Sequence, residues 1–389
     1  MKLIVYCQHV LGVGHFFRTL EICRALAGHD IVLVSGGPPT PANLPANVRR
    51  RQLPELVMDR DFQNLHSPAG RRLETVRDER RRQLQAIFRE EAPDAFLVEL
   101  YPIGRKAFRF ELDPLLAEID AGRLPACKVV CSVRDILVEK ENAAKHESRA
   151  VDILNRQFDA LLVHADPRVV RLEETFGQLA AIRIPVVYTG FVAAKAVPVP
   201  DPGAWRRSQD VADDQRLVLA SAGGGAVGFD LLDAVSQAVD RLQTRYPVVL
   251  QAFTGPFMAN AQAAELARRQ TAIRRFNRFS EDFTTWLQVA DATVSMAGYN
   301  TCMNLLTARP PALVYPFEQN REQGLRARRL AARGALQVLQ GRDLEPARLA
   351  ERLAGIMGQS PSPTTIDTDG AACTARWLAA LIGPEGGGI

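Results

Sequence analysis

Residues 295–323 gather the side chains and turns that chemistry on a phosphorylated ligand needs. An apolar run ends in Ser295-Met296-Ala297-Gly298-Tyr299-Asn300-Thr301, which predicts a strand delivering Gly298 and Thr301 to a helix start. The first N–H groups of a helix have no partner inside it and sit at the positive end of its dipole. That turn, with the Thr301 hydroxyl beside it, is therefore a seat for phosphate. Asn304 falls one turn further along the same helix face, where an amide can bond a ribose hydroxyl. A second apolar run, 311–317, leads to Glu322-Gln323 at the next strand-to-helix turn, placed to read sugar hydroxyls. Diphosphate, ribose and sugar receptors in this order describe a nucleotide-sugar donor site. The competing reading is an ordinary βαβ turn.

Gly12-Val13-Gly14-His15-Phe16-Phe17-Arg18 follows the first apolar run and opens a helix. It is not a dinucleotide fingerprint, because Phe17 stands at the third glycine position and the second strand ends at Ser35-Gly36-Gly37 without an acid for a ribose. What remains is a glycine turn with His15 at a helix amino terminus. That position disfavours imidazolium, so His15 is expected to stay neutral near pH 7 and to accept a proton from an acceptor hydroxyl. Arg134 and Asp135 end another strand, placed to pair with each other, to position an acceptor or to support His15. Glu99 and Tyr101 are reserve candidates for the base. Ser221-Ala222-Gly223-Gly224-Gly225 repeats the strand–glycine–helix design, and its glycines let a backbone approach phosphate or donor closely. It lacks the Gly-Lys-Ser/Thr of a P-loop. The segment 279–283, beginning at Phe279, precedes the donor turn and is a candidate cradle for a nucleobase. Neither Asp-x-Asp at a strand end nor His-x-x-x-His occurs, so no metal is expected; a helix terminus and neighbouring donors suffice for a leaving diphosphate. No cofactor is expected beyond the nucleotide-sugar itself.

Elements that would hold these residues alternate from end to end. Strands are expected at 3–7, 31–34, 95–98, 129–132, 160–163 and 186–188, then again at 217–221, 248–252, 273–276, 292–295, 312–315 and 336–338. Helix-length stretches lie between them. This is an α/β pattern with parallel sheets. Prolines at 198, 200 and 202 interrupt it as a linker. Two doubly wound domains are expected, 1–195 and 203–370, with the ligand in the crevice at the carboxyl ends of their strands. Residues 71–91 read as one long helix with a solvated, salt-laced face, the alternative being a patch for an anionic acceptor or a membrane surface.

With 389 residues, 47% hydrophobic and 24% charged, the chain has the make-up of an ordinary globular protein. Net charge +4 and the absence of interleaved basic and aromatic residues argue against nucleic acid. Six scattered cysteines without Cys-x-x-Cys suggest reduced thiols in a cytoplasmic protein. No run of about 18 apolar residues spans a bilayer, which leaves at most peripheral membrane contact.

The motifs above, with Pro93–Gly104, Tyr188-Thr189-Gly190, Gly255-Pro256-Phe257 and Glu322-Gln323, together resemble the GT-B glycosyltransferases related to the peptidoglycan GlcNAc transferase that makes lipid II. The bacterial group described as predicted glycosyltransferases is more similar still. The resemblance implies two Rossmann-like domains facing each other across a cleft, with a carboxy-terminal helix (371–383) crossing back to the first. It further implies metal-independent, inverting transfer from a UDP- or related NDP-sugar to a small-molecule, glycan or lipid-linked acceptor. His15 matches the histidine of the amino-terminal glycine loop. Gly298 and Thr301 match diphosphate positions, and Glu322 and Gln323 donor-sugar contacts. Two positions depart from the family pattern. Asn304 stands where a ribose-binding Glu is usual, and Tyr315–Arg321 replaces a Pro-Arg segment. Two further classes stay open at this point: a sugar-nucleotide epimerase or hydrolase on the same architecture, and a non-catalytic nucleotide-sugar-binding homologue. The sequence is silent on oligomeric state.

Overall fold

The computed structural model describes residues 1–9, 13–38, 40, 43–58, 64–68, 70–137, 143–359 and 365–383. The chain divides into two compact units: Met1–Val192 with Asp367–Ile389, and Ala193–Ile366.

The first unit is built on β1 (Lys2–Tyr6), β2 (Asp30–Ser35), β3 (Val48–Gln52), a short antiparallel pair β4 (Val57–Met58) and β5 (Leu65–His66), then β6 (Ala95–Glu99), β7 (Lys128–Arg134), β8 (Ala160–His164) and β9 (Val186–Tyr188). Seven of these form one parallel sheet in the order β3-β2-β1-β6-β7-β8-β9. Its central strands are buried on both faces, which is why they read in the sequence as unbroken apolar runs. β3 is different. Its sequence is Val-Arg-Arg-Arg-Gln, so hydrophobic pattern gave no expectation of a strand there. Arginines on an edge strand keep other chains from adding to the sheet.

Helices α1 (Gly14–Ala25), α2 (Leu73–Glu91), α3 (Arg109–Asp120) and α4 (Ala143–Gln157) belong to this unit. In α2 the buried side chains Val76, Arg80, Leu84, Ile87 and Phe88 recur every three or four residues, and the opposite face carries Arg77–Glu74 and Arg81–Asp78 pairs. The helix stops at Ala92, whose backbone turns left-handed (φ 42°) while its N–H caps the Phe88 carbonyl.

The second unit starts with α5 (Pro202–Ser208), capped by Asp201, whose carboxylate accepts from the Ala204 N–H. Its strands are β10 (Arg216–Ser221), β11 (Val248–Phe253), β12 (Arg274–Asn277), β13 (Ala292–Met296), β14 (Ala312–Tyr315) and β15 (Gln337–Val338). They too form one parallel sheet, in the order β12-β11-β10-β13-β14-β15. Helices α6 (Phe229–Leu242), α7 (Asn260–Ala267), α8 (Phe283–Val289), α9 (Tyr299–Ala308), α10 (Arg321–Ala331) and α11 (Pro346–Ile356) complete it. Leu231, Leu232, Val235, Ala238, Val239 and Leu242 on α6 pack with Leu349, Leu353 and Ile356 of α11 over the sheet.

After residue 366 the chain rejoins the first unit. The Phe191 N–H donates to the Asp367 carbonyl at 2.9 Å, and the Gly370 N–H to the Phe191 carbonyl at 3.0 Å. α12 (Gly370–Ile382) then packs on α1, with Leu378 fully buried in the core around β1.

Both sheets are doubly wound, and each reverses its strand order once: between β1 and β6 in the first unit, and between β10 and β13 in the second. Neighbouring connections leave on opposite faces at such a point, so a crevice opens outside the carboxyl ends of those two strands. Two pairs of turns are thereby singled out: 13–18 with 99–105, and 221–225 with 295–301.

Candidate active site

In the first unit, α1 starts at Gly14 directly after the β1 turn, and His15 and Arg18 are three residues apart, on one helix face. Glu99 is the last residue of β6, the strand next to β1 at the reversal. All three meet. His15 Nδ1 lies 2.6 Å from Glu99 Oε1, and Arg18 Nη2 donates to the same oxygen at 2.5 Å. Arg105 Nε lies 3.4 Å from Glu99 Oε2. Glu99 and Arg18 are almost fully buried, whereas the His15 side chain keeps 21% of its surface exposed.

Burial is the main force on the His15 ring and pushes its pKa down to about 3. The Glu99 carboxylate favours the imidazolium, but Arg105 and Arg18 oppose it, so the ring is neutral at pH 7. Burial alone would raise the Glu99 pKa; the His15 N–H, Arg105 and Arg18 outweigh it and hold the group well below the usual carboxylate range. A carboxylate can only accept, so His15 Nδ1 carries the proton and donates it to Glu99. The lone pair of the ring is then on Nε2. This fixes the tautomer a general base requires.

Behind this group lies His164, at the end of β8, which the sequence reading did not single out. Its Nε2 is 2.6 Å from Ser132 Oγ and its Nδ1 2.9 Å from Thr189 Oγ1. Burial, with Arg18 assisting, pushes its pKa down to about 3. Arg105 was also missed; it sits in a left-handed backbone conformation (φ 53°) after the β6 turn, and no local pattern marks it. Arg134 ends β7 half-buried, and Asp135 follows it fully buried. Gly12 lies outside the described residues.

These histidines set an acid limit on stability. An unfolded imidazole titrates near 6.5, whereas in the fold both rings stay neutral until about pH 3. Between those values the unfolded chain binds protons that the native state does not, so stability falls as pH drops through this window. Thermal unfolding should show a lower midpoint at pH 5 than at pH 7.5, and His164→Gln should narrow the gap. A midpoint that is unchanged or higher at pH 5 contradicts the assignment of neutral rings.

In the second unit, Ser221 of β10 is register partner to Ser295 of β13. The Gly223 N–H donates to Ser221 Oγ at 3.1 Å and the Gly225 N–H to the Ala222 carbonyl at 3.2 Å, which folds the glycine turn back on its strand. The turn after β11 packs against it, with the Phe257 N–H donating to the Gly224 carbonyl at 2.9 Å. This close approach requires glycine on both sides. A Cβ on Gly225 (φ +89°) would lie 2.3 Å from the Thr254 carbonyl oxygen, and one on Gly255 (φ +80°) 2.4 Å from that of Gly223.

Gly298 caps α9 in an extended conformation, and Tyr299, Asn300 and Thr301 form the first turn. Thr301 Oγ1 lies 3.4 Å from where a Gly223 Cβ would stand and 3.9 Å from that of Gly298, so its hydroxyl sits between the two turns. Ser295 Oγ is buried and has no hydrogen-bond partner among the described residues. Asn304 lies half-buried one turn beyond Thr301. At α10 the Asn320 side chain accepts from the Gln323 N–H at 3.1 Å, while Gln323 Oε1 accepts from the Phe317 N–H at 3.0 Å. The Gln323 carbonyl oxygen is thus committed to the cap, and Glu322 is buried. Phe279, just past β12, is half exposed, as is Phe257 beside the glycine turn. Among the described residues no cluster of three or more His, Cys, Asp or Glu side chains is arranged to hold a metal ion. None of their helices is long and apolar enough to cross a membrane.

One unit therefore offers an oriented, neutral imidazole, and the other a glycine-lined turn beside a helix amino terminus. Residues 221–372 match the glycosyltransferase family 28 C-terminal domain. An uncharacterized glycosyltransferase of Methanopyrus kandleri is 21% identical over 258 residues, 65% of this chain and 71% of that protein. Two solved structures are similar over 98% of the chain. MurG of Acinetobacter baumannii has a TM-score of 0.53 at 16% identity, with 99% of it covered. The spinosyn rhamnosyltransferase SpnG complexed with thymidine diphosphate has a TM-score of 0.55 at 16% identity, with 95% covered. Residues 221–372 are thus similar to the glycosyltransferase family 28 C-terminal domain, and the chain is a glycosyltransferase of the GT-B fold.

Proposed function

We propose that this glycosyltransferase moves a sugar from a nucleoside-diphosphate donor, UDP-linked as the family resemblance implies, to an acceptor hydroxyl by one inverting displacement. The observation that carries the reading is the His15–Glu99 pair, which leaves the imidazole neutral with its lone pair on Nε2. His15 Nε2 takes the acceptor proton, the freed oxygen bonds to the anomeric carbon, and the bond from that carbon to the diphosphate oxygen breaks. The electron pair leaves with the nucleoside diphosphate, and a single displacement inverts the anomeric centre. Glu99 holds the ring and stabilises the imidazolium that forms; it stays a carboxylate throughout.

On this reading the leaving diphosphate sits at the amino terminus of α9, against Gly298 and Thr301, with the turn 223–225 close to its oxygens. Asn304 bonds ribose hydroxyls without the charge that strengthens such bonds, and Phe279 offers a ring to the base. The Gln323 Nε2 group and Glu322 remain the proposed donor-sugar contacts. Binding by thymidine diphosphate in SpnG supports a diphosphate site in this fold.

Thermal stabilisation by UDP, GDP and dTDP tests the donor site. One of the three should raise the unfolding midpoint, and Thr301→Val should weaken that nucleotide by roughly tenfold, the worth of one hydrogen bond to a charged group. Turnover of the matching sugar nucleotide should survive EDTA and give product of the opposite anomeric configuration. Stabilisation by none of them refutes the donor site. Conversion of the donor without an acceptor points instead to an epimerase or hydrolase.

A further inference from the structure

Edge strand β3 carries Arg49, Arg50 and Arg51 in succession, and strand alternation separates them. Arg49 pairs with Asp30 and Glu91, and Arg51 with Glu90 and Glu91. Arg50 points to the other face and has no carboxylate partner among the described residues. Its Nε donates to Ser35 Oγ at 2.8 Å, and its guanidinium lies over the Phe16 ring, 5.4 Å from the centroid. Ser35 Oγ donates in turn to Gln52 Oε1 at 3.0 Å, and Gln52 Nε2 to the Gly37 carbonyl at 3.1 Å. The guanidinium is therefore fixed on an aromatic ring by a network anchored in backbone, while Nη2 is buried with no hydrogen-bond partner among the described residues.

That arrangement is costly unless something completes it. A partly desolvated cation without a counter-ion is unfavourable, and burial pushes the Arg50 pKa down, yet an arginine stays charged in water-accessible protein. Arg18, Arg80 and Arg105, by contrast, each rest on a carboxylate. Arg50 and Gln52 line an open pocket of about 670 Å³, with Pro54, Glu55, Arg71 and Glu79 among its other walls. Arg71 and Glu79 neutralise one another, which leaves Arg50 as the cation and Glu55 as the acid of the lining that form no ion pair among the described residues.

We infer that this pocket binds an oxyanion, a carboxylate or phosphate carried on a sugar-sized acceptor, with the Arg50 guanidinium as its donor through Nη1. The inference rests on the reading that the first unit handles the acceptor. A charge-assisted N–H donor suits an oxygen of either group, and a ring-stacked guanidinium already held by Ser35 presents Nη1 to it in a fixed orientation. Phe16, which supports Arg50, follows His15 in α1, so one helix turn carries both the base and the floor under the anion site. Glu55 is placed to accept from hydroxyls of the same ligand.

Calorimetric titration of the full-length protein with glucuronate, glucose 6-phosphate and glucose tests this without any nucleotide. At least one anion should bind about 10- to 100-fold more tightly than glucose, the scale of a charge-assisted contact, and the better of the two tells carboxylate from phosphate. Arg50→Gln should abolish the preference, while Arg50→Lys retains part of it. Arg123→Gln, altering an exposed charge-paired arginine outside the pocket, should leave the preference in place, and unfolding midpoints confirm that the variants are folded. Equal affinity for all three ligands, or a preference that survives Arg50→Gln, overturns the inference. If nucleotides fail to bind while the Arg50-dependent preference is seen, the donor reading falls and this one stands.

Discussion

Replacing His15 with alanine is expected to lower turnover by about 10²–10⁴-fold while nucleotide binding by the second unit stays near that of the parent protein. The size follows from the role: a positioned base removes a proton in the transition state, and water is a poor substitute for it. Glu99→Gln should lower turnover as well, for a different reason. An amide can present its N–H to Nδ1, which stabilises the tautomer whose lone pair faces inward and whose Nε2 carries the proton. The charge that steadies the imidazolium is lost at the same time. The two variants separate base from positioning residue through the pH profile. With the His15 pKa pushed down to about 3, the parent kcat/KM should be flat from pH 8 to below 6. Glu99→Gln should alter that profile, whereas the small residual rate of His15→Ala should show no titration of this ring. Full activity in His15→Ala would remove the imidazole from the mechanism.

Arg80→Met is expected to destabilise the first unit by about 3–5 kcal/mol, the cost of leaving a buried charge alone. Arg80 and Glu111 are both fully buried, and Arg80 grips the two carboxylate oxygens at 2.6 and 2.9 Å. The Tyr6 hydroxyl donates to the same carboxylate, and Arg80 also donates to the Pro54 carbonyl at 2.7 Å and to Gln8 Oε1 at 3.0 Å. Removing the cation strands Glu111 and unties β1, the segment after β3 and helices α2 and α3 from one another. Arg80→Met combined with Glu111→Leu takes out both charges and should recover a large part of the loss, because a matched apolar pair avoids the desolvation cost of the ions. Urea denaturation of the single and double variants decides the matter. A single variant within about 1 kcal/mol of the parent would mean that water already reaches the pair.

Arg80 also shows where sequence reading stops. Val76, Arg80, Leu84 and Phe88 are spaced four apart, so the arginine lies in the middle of the apolar stripe. Its position on the buried face was visible; its partner on α3, 31 residues away, was not. β3 was missed for the converse reason. Hydrophobic periodicity detects a strand by what it buries, and this edge strand spends its alternate positions on arginines paired to Asp30 and to acids of α2. The residue that carries the anion-site inference therefore lies in the one strand of the first sheet to which sequence pattern gave no clue.

The sequence by itself determined the alternation of strands and helices, the two glycine turns, and the candidates His15, Gly298, Thr301 and Asn304, because apolar runs, glycines and helix starts are local features. It also placed a neutral histidine at a helix start, and burial is the first cause of that neutrality. Tertiary structure alone decided which residue holds that ring. Glu99, a candidate base in the sequence, is instead the carboxylate bonded to His15, and it arrives there because β6 lies beside β1 although 84 residues separate the two side chains. Strand order, and with it the identity of neighbours at the reversal points, arises from the packing of the whole sheet, and no local pattern encodes it.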